Sequence, residues 1–138
     1  MDHDDTIRCR AILFDMDGVL VDSQSVVERT WHRWATRHEL NIPDLVRRAH
    51  GRRTIETVRE LTPSLDADAE ARWLADAEES DTEGLATLPG AAAALAALTD
   101  AERAIVTSSG RGLARVRLGH VGLPTPAVLV TAPASAVS

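Results

Sequence analysis

An apolar run leads directly into two aspartates near the start of the chain. Residues 11–23 read AILFDMDGVLVDS, and Asp15 and Asp17 follow a short segment that suits a buried parallel strand over residues 10–14. Carboxylates avoid protein interiors unless a partner or a metal offsets the cost of removing them from water. The run therefore predicts a strand that ends at a polar rim carrying both carboxylates.

The same pattern returns later in the chain. RAIVTSSG (103–110) is an apolar strand over 104–107 that runs into Ser108 and Ser109, and AVLVT (127–131) is a third strand. Helical segments separate the strands: residues 23–39, a helix opened by Pro43, a helix from Thr54, residues 66–79, an alanine-rich helix after Pro89, and a helix ending near Gly119 or Gly122. The alternation predicts an α/β fold with a parallel sheet, in which 103–107 lies between 10–14 and 127–131.

The helical segment after the first strand is too long for a simple crossover. We interpret residues 22–85 as an inserted all-helical cap, and residues 1–21 with 86–138 as the α/β core. A chain of 138 residues has room for one domain with such an insertion. Trp31, Trp34 and Trp73 are expected to pack inside the cap rather than to form a platform for substrate.

Composition excludes several classes of partner. A net charge of −6 argues against nucleic-acid binding, because phosphate backbones favour a basic surface. No apolar run approaches the ~20 residues of a membrane span. A single cysteine, Cys9, and an acidic first segment unlike a signal peptide predict a cytoplasmic protein with no membrane partner.

The predicted rim has the composition of a phosphoryl-transfer site. Ligands of open α/β sheets gather beyond the carboxyl ends of strands, where Asp15, Asp17 and Ser108 would converge. Magnesium prefers oxygen ligands and leaves room for a substrate phosphate. One aspartate could attack phosphorus and the other could protonate the leaving oxygen, while Ser108 and backbone N–H groups hold the phosphoryl oxygens.

Three segments resemble a known family. FDMDGVLVDS is similar to the first motif, D-x-D-G-x-x-x-D-S, of the haloacid dehalogenase (HAD) superfamily of phosphohydrolases, and AIVTSS resembles its second motif. AHGRRTIETV (49–58) resembles the cap segment of its sugar-phosphatase and β-phosphoglucomutase-like branch. The resemblance implies a Rossmann-type parallel sheet with an inserted helical cap and a small phosphorylated metabolite as ligand.

The resemblance also implies roles for individual residues. Asp15 would be the nucleophile and Asp17 the general acid/base, and Asp15 with Asp17, through its backbone carbonyl, would hold Mg²⁺. Phosphate-binding residues would be Ser108 and Ser109, and substrate-facing cap residues would be Gly51, Arg52 and Arg53.

The chain departs from the family pattern after its second motif. The family's third motif is a lysine and its fourth supplies acidic residues, but all 15 basic residues here are arginine, and no Asp or Glu follows Glu102. Arg115 and Arg117 are predicted to point away from the rim. We therefore expect a core that lacks its C-terminal part, an incomplete sheet, and a first strand left as an apolar edge through which the chain could self-associate.

Three functions agree with this pattern. The first is a magnesium-dependent phosphatase that hydrolyses a small sugar or polyol phosphate through an aspartyl-phosphate intermediate. The second is a catalytically silent, truncated HAD fragment that binds a ligand or partner without turnover, which the absent lysine and late carboxylates favour. The third is a phosphomutase, which the first motif does not distinguish from a phosphatase.

Overall fold

The computed structural model describes residues 5–133 and shows a mixed α/β fold. The predicted core also includes residues 1–4 and 134–138, which lie outside the described residues. In chain order the elements are β1 (Ile12–Phe14), β2 (Val21–Asp22), α1 (Gln24–Arg37), α2 (Leu45–Ala49), α3 (Thr54–Leu61), α4 (Ala67–Glu79), β3 (Ala86–Thr87), α5 (Ala91–Ala96), β4 (Arg103–Gly110), α6 (Arg111–Val121) and β5 (Leu129–Ala132).

The main sheet has the strand order β1-β4-β5, and both pairings are parallel. Phe14 pairs with Ile105, which in turn pairs with Leu129, so the three strands end at the same edge of the sheet. This confirms the predicted fold class and the predicted strand order. It also makes β1 an outer strand of the sheet among the described residues.

The strand bounds differ from those predicted. The first strand begins at Ile12 instead of residue 10, and β4 continues beyond Thr107 to Gly110, where it pairs with Ala132 after an irregularity in the register. Ser108 and Ser109 therefore lie within β4, which passes directly into α6 at Arg111. A run of small polar residues gives no apolar signal, so its strand pairing was not visible in the sequence.

The helices lie close to their predicted positions, and local chemistry explains their ends. Asp66 caps α4, because its carboxylate accepts the N–H of Ala69 at 3.2 Å. Residue 43 does not open the next helix; α2 begins at Leu45, after Asp44 in the left-handed region (φ 57°). The last helix ends at Val121 and is capped by Gly122, which has a φ of 76°.

Apolar side chains form two separate clusters. One packs the sheet against α5 and α6, and the other fills the interior of α1–α4, which we call the cap helices. Trp31 and Trp34 belong to this second cluster, with their rings edge to face at 5.4 Å, whereas Trp73 is only partly buried at its margin. The assignment of 22–85 to a cap remains our interpretation.

A two-stranded ribbon that the sequence did not predict connects the cap helices to the sheet. Strands β2 and β3 are antiparallel, with Val21 opposite Thr87 and Asp22 opposite Ala86. Two-residue strands are too short to show a periodic pattern. The ribbon brings the two ends of the helical segment together beside the sheet. Among the described residues, no helix is long and apolar enough to span a bilayer.

Candidate active site

The turn after β1 places two carboxylates at the end of the sheet. The Met16 carbonyl accepts the N–H groups of Leu20 (2.8 Å) and Val21 (3.0 Å), and the Gly18 N–H donates to the Val21 carbonyl at 2.9 Å. Gly18 has a φ of 81°, which a residue with a Cβ rarely adopts. Because the buried side chains of Met16 and Leu20 fix this turn in the core, Asp15 and Asp17 are left at the rim.

Asp15 follows β1 directly and is exposed. Its Oδ1 accepts the N–H of Met16 at 2.7 Å, which fixes the carboxylate against its own backbone. Since β1 and β4 are parallel and in register at Phe14 and Ile105, Asp15 and Ser108 lie at the same end of the sheet, as the sequence predicts.

Asp17 accepts hydrogen bonds from three side chains. Oδ1 receives the Ser23 hydroxyl at 2.8 Å and Nη1 of Arg117 at 2.9 Å, and Oδ2 receives the Ser109 hydroxyl at 3.2 Å. The side chain nevertheless stays 30% exposed. Asp17 is thus held in one orientation and still borders open space.

The position of Arg117 corrects the prediction that it points away from the rim. Its side chain is 2% exposed, and it lies on the face of α6 that also carries the buried Leu113, Ala114 and Leu118. That face packs against β4 and against β2, the strand that follows the Asp17 turn. From this buried face of α6 the guanidinium reaches Asp17.

Glu78 begins the acidic run EESDTEG (78–84) and contributes a second carboxylate to Arg117. The Glu78 carboxylate is 17% exposed and accepts Nη2 of Arg117 at 3.0 Å. Burial raises its pKa above the ordinary value, although the charge of Arg117 opposes that rise. Asp81 in the same run pairs with Arg29 at 2.7 and 2.9 Å, so these carboxylates make structural contacts.

A cavity of about 720 Å³ opens between the rim and the cap helices. The rim contributes Asp17, Ser108, Ser109 and Arg117 to its wall, and the cap helices and their loops contribute Glu28, Trp31, His50, Gly51, Arg52 and Arg53. Apart from Asp15, which is not part of the wall, the cavity brings together every site residue that the sequence predicts.

The three predicted cap residues occupy the loop before α3. Gly51 has a φ of 74°, and Arg52 is ion-paired with Glu60, whose pKa the arginine lowers. Arg53 is exposed at the start of α3 and borders the cavity. Of the two arginines, Arg53 is therefore the one better placed to meet a ligand.

Sequence reasoning missed Ser23, Glu78, Arg117 and the cavity residues His50 and Trp31. One signal for Arg117 was available: the arginine falls on the apolar stripe of its helix, where a charged residue needs a partner. The partners could not be identified, because Asp17 and Glu78 lie 100 and 39 residues away along the chain.

The rim offers oxygen atoms that could hold a metal ion. The Asp15 carboxylate is exposed, and the Asp17 carbonyl accepts none of the backbone hydrogen bonds that close the turn between the described residues 15–21. Both are donors of the kind that magnesium accepts. Within residues 5–133, no group of three or more His, Cys, Asp or Glu side chains is arranged for a metal.

Comparison with known proteins places these features in a family. Residues 9–131 match the haloacid dehalogenase-like hydrolase family. The chain is 43% identical to hexitol phosphatase A of Escherichia coli over 131 residues, which is 91% of this chain and 61% of that protein. It is 26% identical to glycerol-1-phosphate phosphohydrolase 2 of Saccharomyces cerevisiae, over 92% of this chain and 53% of that protein.

A solved structure shares the fold. A hydrolase from Pseudomonas syringae superposes with a TM-score of 0.71 at 25% identity, over 93% of this chain and 62% of that one. The chain thus spans about three fifths or less of the length of these relatives.

Proposed function

The chain belongs to the haloacid dehalogenase-like hydrolase family, and on that basis we propose that it hydrolyses the phosphate ester of a small sugar or polyol. The observation that carries the proposal is Asp17, which is fixed by three donors at the end of a parallel sheet and borders a cavity lined by two serines and an arginine loop. The names of the two relatives, a hexitol phosphatase and a glycerol phosphate phosphohydrolase, support a polyol phosphate as substrate.

In the proposed reaction, Asp15 is the nucleophile. Its free carboxylate oxygen attacks phosphorus, and the bond from phosphorus to the ester oxygen breaks to give an aspartyl phosphate. Asp17 donates a proton to the departing alkoxide, then accepts a proton from the water that attacks the phosphoaspartate. The bond from phosphorus to the Asp15 oxygen breaks, phosphate leaves, Asp15 is again a carboxylate, and Asp17 again carries the proton with which it began.

Serine hydroxyls and backbone N–H groups would hold the phosphoryl oxygens. Ser108 is exposed to the cavity, whereas the Ser109 hydroxyl already donates to Asp17. Both precede the N-terminus of α6, and the free N–H groups of a helix N-terminus favour an anion. We therefore assign the main phosphate contact to Ser108, and to Ser109 mainly the orientation of Asp17.

The donors at the rim fit a magnesium ion. The Asp15 carboxylate and the Asp17 carbonyl would hold it, and waters and substrate phosphate would supply the other positions. Bound there, the ion would neutralise charge on the transferring phosphoryl group.

The cap side of the cavity is suited to a hydroxylated substrate. Glu28, His50 and Arg53 offer acceptors and donors for hydroxyl groups, and Trp31 offers an apolar surface for carbon atoms. The cavity volume of about 720 Å³ accommodates a six-carbon phosphate ester.

A second candidate, a protein that binds phosphorylated ligands without turnover, rests on the charge content of the chain. It has no lysine and no Asp or Glu after Glu102, and both terminal nitrogens of its buried arginine, Arg117, are already paired with carboxylates.

Two measurements on the 138-residue chain separate the candidates. Phosphate release from a hexitol phosphate in the presence of magnesium, lost in Asp15→Asn, supports the phosphatase. Calorimetric binding of the same ester with no release supports the binding protein, and neither release nor binding contradicts both.

A further inference from the structure

A buried ion pair links the proposed acid/base residue to a cap helix. The Arg117 guanidinium lies between the carboxylates of Asp17, at 2.9 Å, and Glu78, at 3.0 Å. Asp17 belongs to the turn after β1, and Glu78 lies in the last turn of α4. One side chain of α6 therefore joins the rim to the cap helices.

The end of α4 meets α6 at a second point. The Glu79 side chain lies against α6 at Gly112, where an added Cβ would be 2.6 Å from its carboxylate. Glu78 and its neighbour thus seat the end of α4 along α6, and a shift of α4 would displace the carboxylate that holds Arg117.

Arg117 has few other anchors. Its Nε is buried and has no hydrogen-bond partner among residues 5–133, so within that range the guanidinium is held by hydrogen bonds to its two carboxylates. A well-packed apolar side chain often serves stability as well as a buried ion pair does. An arginine at this position is therefore better explained by what it orients than by what it stabilises.

We propose that Arg117 is a positioning residue for Asp17, and that Glu78 makes the orientation of Asp17 depend on the seating of cap helix α4. The proposal rests on the proposed function, because it is the acid/base role of Asp17 that gives the orientation a consequence. Arg117 fixes Oδ1 of Asp17, and the Asp17 side chain borders the cavity. When α4 is displaced, Arg117 loses its anchor at Glu78 and Asp17 loses its fixed orientation.

The kinetic test compares four single variants of the 138-residue chain on a hexitol phosphate and on p-nitrophenyl phosphate. Arg117→Met keeps the bulk and removes the charge, Arg117→Lys restores a cation, Glu78→Gln removes the anchor charge, and Arg115→Met is the control, an exposed arginine of the same helix. We expect kcat to fall about tenfold or more in Arg117→Met, with KM within about threefold. Glu78→Gln should lower kcat less, Arg117→Lys should recover part of the loss, and Arg115→Met should equal wild type.

A second measurement does not depend on turnover. With ¹³C-labelled aspartate, the Cγ resonance of Asp17, assigned by its loss in Asp17→Asn, is recorded without substrate in each variant. We expect it to move in Arg117→Met and also in Glu78→Gln, although Glu78 does not donate to Asp17, and to stay in place in Arg115→Met. If Arg117→Met fails to fold, Arg117→Lys and Glu78→Gln decide whether the Asp17 resonance depends on this contact.

The outcomes separate this inference from the proposed function. Suppose that wild type releases no phosphate but the Asp17 resonance moves in both Arg117→Met and Glu78→Gln. That result supports the positioning link and contradicts the phosphatase. Release with an unchanged kcat in Arg117→Met, or an Asp17 resonance that Glu78→Gln leaves in place, overturns the inference whatever the substrate.

Discussion

At the scale of single residues, the structure places charged groups where partners compensate them. Arg117 lies between Asp17 and Glu78, and the cap interior contains a similar arrangement around Glu70. There Oε2 of Glu70 accepts Nε1 of Trp34 at 2.8 Å and contacts Nε2 of His38 at 2.7 Å. Burial disfavours the charged form of Glu70, but these two contacts outweigh it and hold the pKa below its ordinary value.

Removing the Glu70 carboxylate should destabilise the cap helices. In Glu70→Ala the buried Trp34 N–H loses its acceptor, which costs about 1–3 kcal/mol. In Glu70→Gln an acceptor oxygen remains, so a smaller loss is expected. Urea unfolding measures both, with the exposed Glu56→Ala as a control that should stay within about 0.5 kcal/mol of wild type. Equal stability of wild type and Glu70→Ala would contradict this account.

The unfolding free energies of wild type and Glu70→Gln should also differ in their dependence on pH. Because the pKa of Glu70 is lowered in the folded state, its contribution to stability is complete above the unfolded value near 4.5 and is lost as pH falls through the folded value. The difference in unfolding free energy between wild type and Glu70→Gln should therefore shrink below that pH. A difference that grows on acidification would contradict the assigned sign.

Sequence patterns identified some of these residues and not others, for a physical reason. Asp15, Asp17 and Ser108 come at the ends of apolar runs in the sequence, so a local pattern places them at the rim, although Ser108 itself lies within β4. Arg117 and Glu78 act through one contact between distant segments, and that contact depends on how α4 seats on α6. The pattern of residues within one segment does not predict how two distant helices pack.

At the scale of elements, the segment that enters β3 depends on a glycine in the left-handed region. Gly84 has a φ of 84°, and a Cβ there would lie 2.6 Å from the hydroxyl oxygen of Ser25 at the start of α1. The β2–β3 ribbon was missed for lack of length, whereas the long helices α1 and α4 were predicted within two residues, because their apolar period extends over several turns.

Gly84→Ala should loosen this connection. The left-handed backbone costs about 1–2 kcal/mol for a residue with a Cβ, and the Ser25 hydroxyl would have to rotate away from the added methyl group. Gly119→Ala is the matched control, since it lies in α6 with open space around its Cβ and should gain up to about 1 kcal/mol. Thermal unfolding measures both. A stabilised Gly84→Ala would show that the left-handed turn is not required.

At the scale of the whole molecule, one face of the sheet is apolar and open to solvent. Leu13 on β1 is 68% exposed, and Val106 and Val130 on the neighbouring strands are also exposed. An outer strand with free backbone groups and such side chains is a site for pairing with another chain. The edge position of β1 was predicted from the sequence, and self-association through it remains a prediction.

The chain should associate as its concentration rises, and a charge at Leu13 should weaken that association. Sedimentation velocity of wild type, Leu13→Lys and the control Ile7→Lys tests this, because Ile7 is 87% exposed but lies outside the sheet. We expect species larger than a monomer in wild type and in the control, and fewer in Leu13→Lys. A strictly monomeric wild type would contradict the role of this edge.

The rate of catalysis should be low for a chain with this charge content. Arg117 does bring positive charge to the rim, but two carboxylates occupy it, and no lysine is present to neutralise the phosphoryl group. We expect turnover at least about a thousandfold below that of the hexitol phosphatase relative, equivalent to about 4 kcal/mol of lost transition-state stabilisation. The E. coli hexitol phosphatase A, assayed alongside, provides the reference, and a rate within about tenfold of it would contradict this estimate.

The central claim is that Asp15 attacks the phosphate ester, and one comparison tests it most directly. Magnesium-dependent phosphate release from a hexitol phosphate is measured for wild type, Asp15→Asn and Asp5→Asn, all purified identically; Asp5 is an exposed carboxylate that precedes β1 and is not at the carboxyl end of the sheet. The account predicts slow release by wild type and Asp5→Asn and none by Asp15→Asn. Release by Asp15→Asn at the wild-type rate would contradict it.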